Sequence, residues 1–188
     1  MNTIILASRS PRRRQLLQWA EVPFEVRVEE TDEKFPPGSN PDEVAIYIAM
    51  NKAMAVQKKA NPGKIILAAD TIVVLNDHII GKPVHREEAI AILMALSGEI
   101  HKVITGVAIL KDEEKITFAD TTEVEFHEIT VEQIEFYVDK YKPYDKAGAY
   151  AIQEWIGVIG IKRVNGDFYN VMGLPVSRVV SELQQFGQ

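Results

Sequence analysis

Cysteine is absent from the 188-residue chain. That excludes disulfides, a thiolate nucleophile and any zinc site built on thiolates. Histidine is scarce: His78, His85, His101 and His127 are the four present, their spacing fits no metal-ligand pattern, and no catalytic role falls to them. Long uncharged apolar runs are missing too, which excludes a membrane-spanning helix of the ordinary kind. The apolar start, Ile4 to Ala7, is far too short for the hydrophobic region of a signal peptide, so the expectation is a cytoplasmic protein with no membrane partner. Basic residues are outnumbered, 21 against 27 acidic ones, for a net charge of −6. General nucleic-acid binding needs a broad basic surface, so no nucleic-acid partner is expected, although a local cationic pocket is compatible with that balance.

What remains is ordinary for a globular protein with a proper core, 46% hydrophobic and 26% charged. The length fits one domain over residues 1–188, with no internal repeat, low-complexity segment or linker. The most informative stretch is the beginning. Ile4-Ile5-Leu6-Ala7 reads as a short buried strand, and Ser10 and Pro11 read as the N-cap and first position of a helix carrying Arg12-Arg13-Arg14. Arginines oppose the acidic preference of a helix start, where the dipole is already positive. Such a start suits a bound anion, phosphate above all. The alternatives are a solvated cluster, or arginines paired with acidic neighbours.

Further along, Phe24 to Val28 alternates like a strand, and Glu29 to Asn40 is an acidic loop, then rich in Pro and Gly, with carboxylates at Asp32 and Glu33. Asn40-Pro41-Asp42-Glu43 opens a helix. Lys64 to Ala69 reads as a buried strand with an apolar run ending in Asp70-Thr71, and Ile72 to Leu75 continues as strand before the turn Asn76-Asp77. After Gly81-Lys82-Pro83 a helix is expected from about His85 to Leu96. Lys102 to Leu110 and Lys115 to Phe126 read as strands, and Thr130 with Gln133 forms a capping box for a helix to about Lys140. Asn165-Gly166, between Val158–Val164 and Asp167–Val171, reads as a hairpin turn, and Gly173-Leu174-Pro175 leads into a final helix. The class is mixed α/β.

Polar residues recur at the ends of apolar strands, where α/β sheets collect ligands: Ser8 to Arg13, Asp70, Thr71 and Lys82. A carboxylate as deep as Asp70 needs a partner, a metal or a proton; an N-cap or an arginine partner is the plainer alternative. Asp32-Glu33 near a polyphosphate suggests Mg²⁺, against the plainer reading of a solvated acidic loop. Asp145 to Gln153 combines acid, base, glycine, aromatic and amide, a mix suited to a pocket wall in which Gln153 can pair with a base edge, or to a structured loop with Tyr150 in the core.

Eight segments in order resemble the Maf family of nucleoside triphosphate pyrophosphatases: Ser8 to Arg13, Glu33, Asn51-Lys52-Ala53, Ala69-Asp70-Thr71, Gly81-Lys82-Pro83, Ser97-Gly98, Asp145 to Gln153, and Gly173-Leu174-Pro175. The resemblance implies an α/β fold like that of inosine triphosphate pyrophosphatases, with a mixed elongated sheet flanked by helices and two lobes around a cleft. It implies cleavage of a nucleoside triphosphate between its α and β phosphates. Arg12, Thr71 and Gln153 match the set associated with dTTP and UTP. Asp70 would accept the proton of the attacking water, and Glu33 with Asp70 would hold a divalent cation, Mg²⁺ or Mn²⁺. Arg13, Lys52 and Lys82 would neutralise the phosphates, and Ser8 would also bind the substrate. A homodimer is consistent with the resemblance, although no stripe in the chain identifies an interface. Two alternatives stand beside this reading: another base preference, such as 7-methyl-GTP, and a non-catalytic nucleotide-binding regulator of cell division. One departure concerns Glu154-Trp155-Ile156, where many members of the family continue with glycines after the glutamine.

Overall fold

The computed structural model describes residues 3–186. Strands β1 (Ile4–Leu6), β2 (Phe24–Val26), β3 (Ile66–Leu75), β4 (His78–Ile80), β5 (Ile100–Lys111), β6 (Glu114–Phe126) and β7 (Ile161–Asn165) form one sheet in the order β2-β1-β3-β5-β6-β7, with β4 paired to β3. The helices are α1 (Pro11–Trp19), α2 (Pro41–Gln57), α3 (Arg86–Leu96), α4 (Val131–Tyr141), α5 (Trp155–Gly160), α6 (Phe168–Met172) and α7 (Val176–Gln184). β1 runs parallel to both β2 and β3, and α1 and α2 lie in the connections such pairings need. The sheet is mixed, because β3–β4 and β6–β7 are antiparallel. Asn76 and Asp77, both at positive φ (48° and 62°), form the two-residue turn between β3 and β4.

The chain divides into two compact units. The first comprises the described residues up to Thr71, Thr105–Asp120 and those from Gly173 on; the second comprises Ile72–Ile104 and Thr121–Met172. In the first, α2 lies on the sheet through Ala49, Ala53 and Val56, which meet Ile5, Ala7, Ile66, Ala68, Ala108 and Leu110. The alanines on both surfaces bring helix and sheet backbones close. At Gly106 the approach is closest: a β-carbon there would lie 2.2 Å from the carbonyl carbon of Ala45 and 2.3 Å from the amide of Ile46. The start of α2 is held by a complete capping box, Asn40 with Glu43.

In the second unit α3 packs on α4, and a ring cluster of His101, Phe126 and Tyr150 forms part of the core. His101 is 1% exposed, and its Nε2 lies 2.7 Å from the Tyr150 hydroxyl. Burial pushes its pKa down to about 4.

Two expectations need correction. Asn165-Gly166 is not a hairpin turn: Trp155–Gly160 is helical, β7 pairs with β6, and the chain after Gly166 turns into α6. Asp167 drives that change, because its carboxylate accepts the Tyr169 amide at 2.7 Å and so begins a helix where a second strand was expected. Asp70 stands inside β3 rather than at a strand end, since the expected continuation from Ile72 to Leu75, with its β-branched run Ile72-Val73-Val74, belongs to the same strand.

Two outcomes follow for stability. Gly106→Ala drives a methyl group into the α2 backbone and should cost at least ~2 kcal/mol, the scale of overpacking, as a lowered urea midpoint. His101 is neutral in the folded core and titrates normally when unfolded, so acid pulls the protein towards unfolding. Between its ordinary pKa of 6.5 and about 4, wild type should lose stability relative to His101→Gln as pH falls. The steepest slope is about 1.4 kcal/mol per pH unit, measurable by denaturant titration of both proteins across that range.

Candidate active site

Period-two alternation along β3 sets the site. Ile66, Ala68 and Asp70 share the face that meets α2, whereas Thr71 belongs to the opposite face with Leu67 and Ala69. Asp70 therefore meets Lys52, two helical turns beyond the Gly106 contact on α2. The Lys52 ammonium lies 2.7 Å from Asp70 Oδ1 and 2.8 Å from Glu33 Oε1, the latter from the loop that precedes α2. Two carboxylates thus converge on one cation position. Asp70 and Lys52 are largely buried and Glu33 is half exposed, with side-chain exposures of 13%, 20% and 53%.

On the other face the helix period of α1 turns Arg13 inward with Leu16 and Leu17. The Ser10 hydroxyl caps the helix by accepting the Arg13 amide at 3.4 Å. The Arg13 side chain is buried. Its Nε donates to the Gly173 carbonyl at 2.7 Å, its Nη1 to Ser8 Oγ at 3.2 Å and its Nη2 to Thr71 Oγ1 at 3.0 Å. Thr71 is fixed in turn by the Thr105 hydroxyl at 2.8 Å. All three acceptors of Arg13 are neutral, and among the described residues no carboxylate forms an ion pair with it. Burial pushes its pKa down to about 10, opposed by the negative charges of Asp70 and Glu33 and reinforced by Arg12. A buried cation solvated only by neutral oxygens leaves a positive field that an anionic ligand would complete.

The first unit thus contains Ser8, Arg12, Arg13, Glu33, Lys52, Asp70 and Thr71, of which Ser8, Arg13 and Thr71 form one connected network and Glu33, Lys52 and Asp70 another. Arg12 is half-buried beside Arg13 on α1. Lys82 and Gln153 belong to the second unit, Lys82 exposed after β4 and Gln153 exposed in the turn before α5. Two members of the Arg13 network escaped the sequence reading: the Gly173 carbonyl and Thr105. For Thr105 a signal existed, because the adjacent Gly106 interrupts a strand pattern, which marks a close backbone approach. A backbone carbonyl leaves no signal in residue identity.

Among the described residues no group of three or more His, Cys, Asp or Glu could by itself hold a metal ion. Glu33 and Asp70 nevertheless suit a hard divalent cation. They are oxygen donors that already converge on one positive charge, and Mg²⁺ takes few protein carboxylates when phosphate oxygens complete its shell.

The Maf-like protein family profile matches residues 3–186. A dTTP/UTP pyrophosphatase of Parabacteroides distasonis is 49% identical over 184 residues, covering 97% of this chain and 95% of its own length. A dTTP/UTP pyrophosphatase of Bacillus cereus is 47% identical over 186 residues, covering 99% and 96%. Among solved structures, the Ham1 protein of Staphylococcus aureus aligns over 96% of this chain and 100% of that one with a TM-score of 0.50; at 19% identity this is a likeness of fold alone. With a family match spanning the described residues, and relatives nearly half identical over almost their full length, the chain belongs to the Maf family.

Proposed function

We propose that the chain is a nucleoside triphosphate pyrophosphatase acting on dTTP and UTP, releasing the monophosphate and pyrophosphate. The observation that carries the polyphosphate reading is the buried Arg13 guanidinium, whose acceptors among the described residues are neutral oxygens, in the same unit as a carboxylate pair that converges on one cation. The base preference rests on relatives of that name at close to half identity. The setting we assign is cytoplasmic nucleotide-pool house-cleaning.

Hydrolysis at the α phosphorus needs a water in line with the leaving pyrophosphate and positive charge around the phosphates. The water oxygen bonds to the α phosphorus as the bridge to the β phosphate breaks, and the water's proton passes to the Asp70 carboxylate. Lys52 fixes that carboxylate, since a 2.7 Å contact to a side chain on α2 restricts its rotation. Glu33 and Asp70 would hold a divalent cation, Mg²⁺ or Mn²⁺, which when bound neutralises phosphate charge. Arg13 and Lys52 contribute charge to the same end, with Ser8 keeping the Arg13 guanidinium in register and Lys82 serving the phosphates as the family resemblance implies. Arg12, Thr71 and Gln153 select the base. A uracil-type ring offers two carbonyl acceptors and one N–H, an edge that an amide such as that of Gln153, with its paired donor and acceptor, can match. Thr71 acts in this set at one remove, because its hydroxyl is engaged by Arg13 and Thr105.

With Mg²⁺ or Mn²⁺ supplied, dTTP and UTP should yield pyrophosphate and the nucleoside monophosphate, resolved by anion-exchange chromatography. Orthophosphate with a diphosphate product would place attack at the γ phosphorus and overturn the reading. Asp70→Asn retains the shape but removes the proton acceptor, so kcat should fall by at least ~100-fold while the circular dichroism spectrum stays that of wild type. Near-normal turnover in the folded variant would leave Asp70 as no more than a partner for Lys52.

A further inference from the structure

Gln153 stands exposed at the crest of a turn, and Glu154 follows it half-buried. Ala151, Ile152 and Ile156 are buried beneath the turn. The backbone is closed tightly: the Glu154 amide donates to the Ala151 carbonyl at 3.1 Å, and the Glu154 carbonyl accepts from Gly157 at 2.9 Å and from Val158 at 3.2 Å. A β-carbon at Gly157 would lie 1.8 Å from the Ile152 carbonyl oxygen, so only glycine permits this closure. Glu154 occupies the N-cap of α5 in extended conformation, yet its side chain makes no capping bond.

The carboxylate is used elsewhere. Its Oε2 accepts the hydroxyl of Tyr137, a fully buried residue of α4. Its Oε1 lies 3.6 Å from the ammonium of Lys146, a buried side chain that also pairs with Asp145 at 2.8 Å. The neighbouring residue is gripped from the same helix, as the Trp155 ring meets Phe136 edge-on with centroids 4.9 Å apart. Consecutive residues of α4 thus hold consecutive residues of the turn, and all of these groups belong to the second unit.

We propose that Glu154 is a positioning residue for Gln153: by tying the turn to Tyr137 and Lys146, it fixes the backbone from which Gln153 reaches the pyrimidine. The turn is thereby anchored to α4 and Lys146 rather than left free to hinge. Glu154 adds an acceptor for the buried Tyr137 hydroxyl and a second carboxylate beside the buried Lys146 ammonium. Anchoring also removes, before substrate arrives, motion that the bound state would have to freeze. The inference rests on the base-selecting role given to Gln153 above, so its test separates the two.

Glu154→Ala, Glu154→Gln, Gln153→Ala and the double Gln153→Ala/Glu154→Ala variant are compared with wild type. Amide hydrogen exchange at Glu154, Gly157 and Val158 should accelerate in Glu154→Ala and return towards wild type in Glu154→Gln, which keeps an acceptor for the Tyr137 hydroxyl. The ratio of kcat/KM for dTTP over ATP should fall roughly tenfold in Glu154→Ala, short of the ~100-fold that an ångström of misplacement can cost. Gln153→Ala should lower the same ratio, and the double variant should lower it no further, the signature of two residues acting through one contact. Unchanged exchange in Glu154→Ala overturns the proposal. So does an unchanged ratio in Glu154→Ala when Gln153→Ala lowers it. A ratio unmoved by Gln153→Ala refutes the base-selecting role instead, and exchange at the three amides then decides the positioning role alone.

Discussion

A buried guanidinium whose hydrogen-bond acceptors, among the described residues, are all neutral is the constraint around which the first unit is arranged. Removing such a charge from water is costly unless hydrogen bonds replace the lost solvent, and Arg13 finds its replacements in three separate stretches of chain: Ser8 before α1, Thr71 in β3 and the Gly173 carbonyl before α7. Those three acceptors hold the start of the chain, the centre of the sheet and the approach to the last helix in one register. Because all are neutral, no direct ion pair among the described residues cancels the positive charge. The same choice that shapes the fold here also creates the field suited to a polyphosphate.

Close backbone approach does for Lys52 what hydrogen bonding does for Arg13. Alanines at 49, 53, 68 and 108, with Gly106, let α2 sit against the sheet at a distance that larger residues would forbid. The helix then delivers Lys52 to the face of β3 that carries Asp70, while the alternation of that strand sends Thr71 to the Arg13 network. Two adjacent residues of one strand therefore serve two networks, with no loop needed to separate them. Glu33 differs from both: it comes from a segment without regular structure and reaches the site as a half-exposed partner of Lys52.

Most elements were legible because their signals are local. The Ser10 cap and Pro11, the Asn40 and Thr130 capping boxes and the Asn76-Asp77 turn act within a few residues, and each appears where its pattern stands. Asn165-Gly166 is the counterexample. Its hairpin signal is equally local, but Asp167 offers a competing side-chain bond that starts a helix, and β7 finds its partner in β6 instead. The departure at Glu154-Trp155-Ile156 was legible as a difference but not as a contact, since Tyr137, Phe136 and Lys146 come to it from more distant parts of the chain.

Residue identities alone determined that this chain has no thiol chemistry, that it is an α/β protein, and that arginines at a helix start, an aspartate in an apolar run and an amide after Asp145-Lys146 were the groups to watch. Those conclusions depend on composition and short-range periodicity, which survive without knowledge of distant neighbours. The tertiary structure alone decided which of two adjacent arginines turns inward, that Thr71 is engaged by Arg13 and Thr105, that a backbone carbonyl at Gly173 completes the network, and that Lys52 stands between Asp70 and Glu33. Helical phase shows that neighbours point about 100° apart but not which one faces the core. That choice, like every contact between residues distant in the chain, is settled only when the sheet and its helices close on one another.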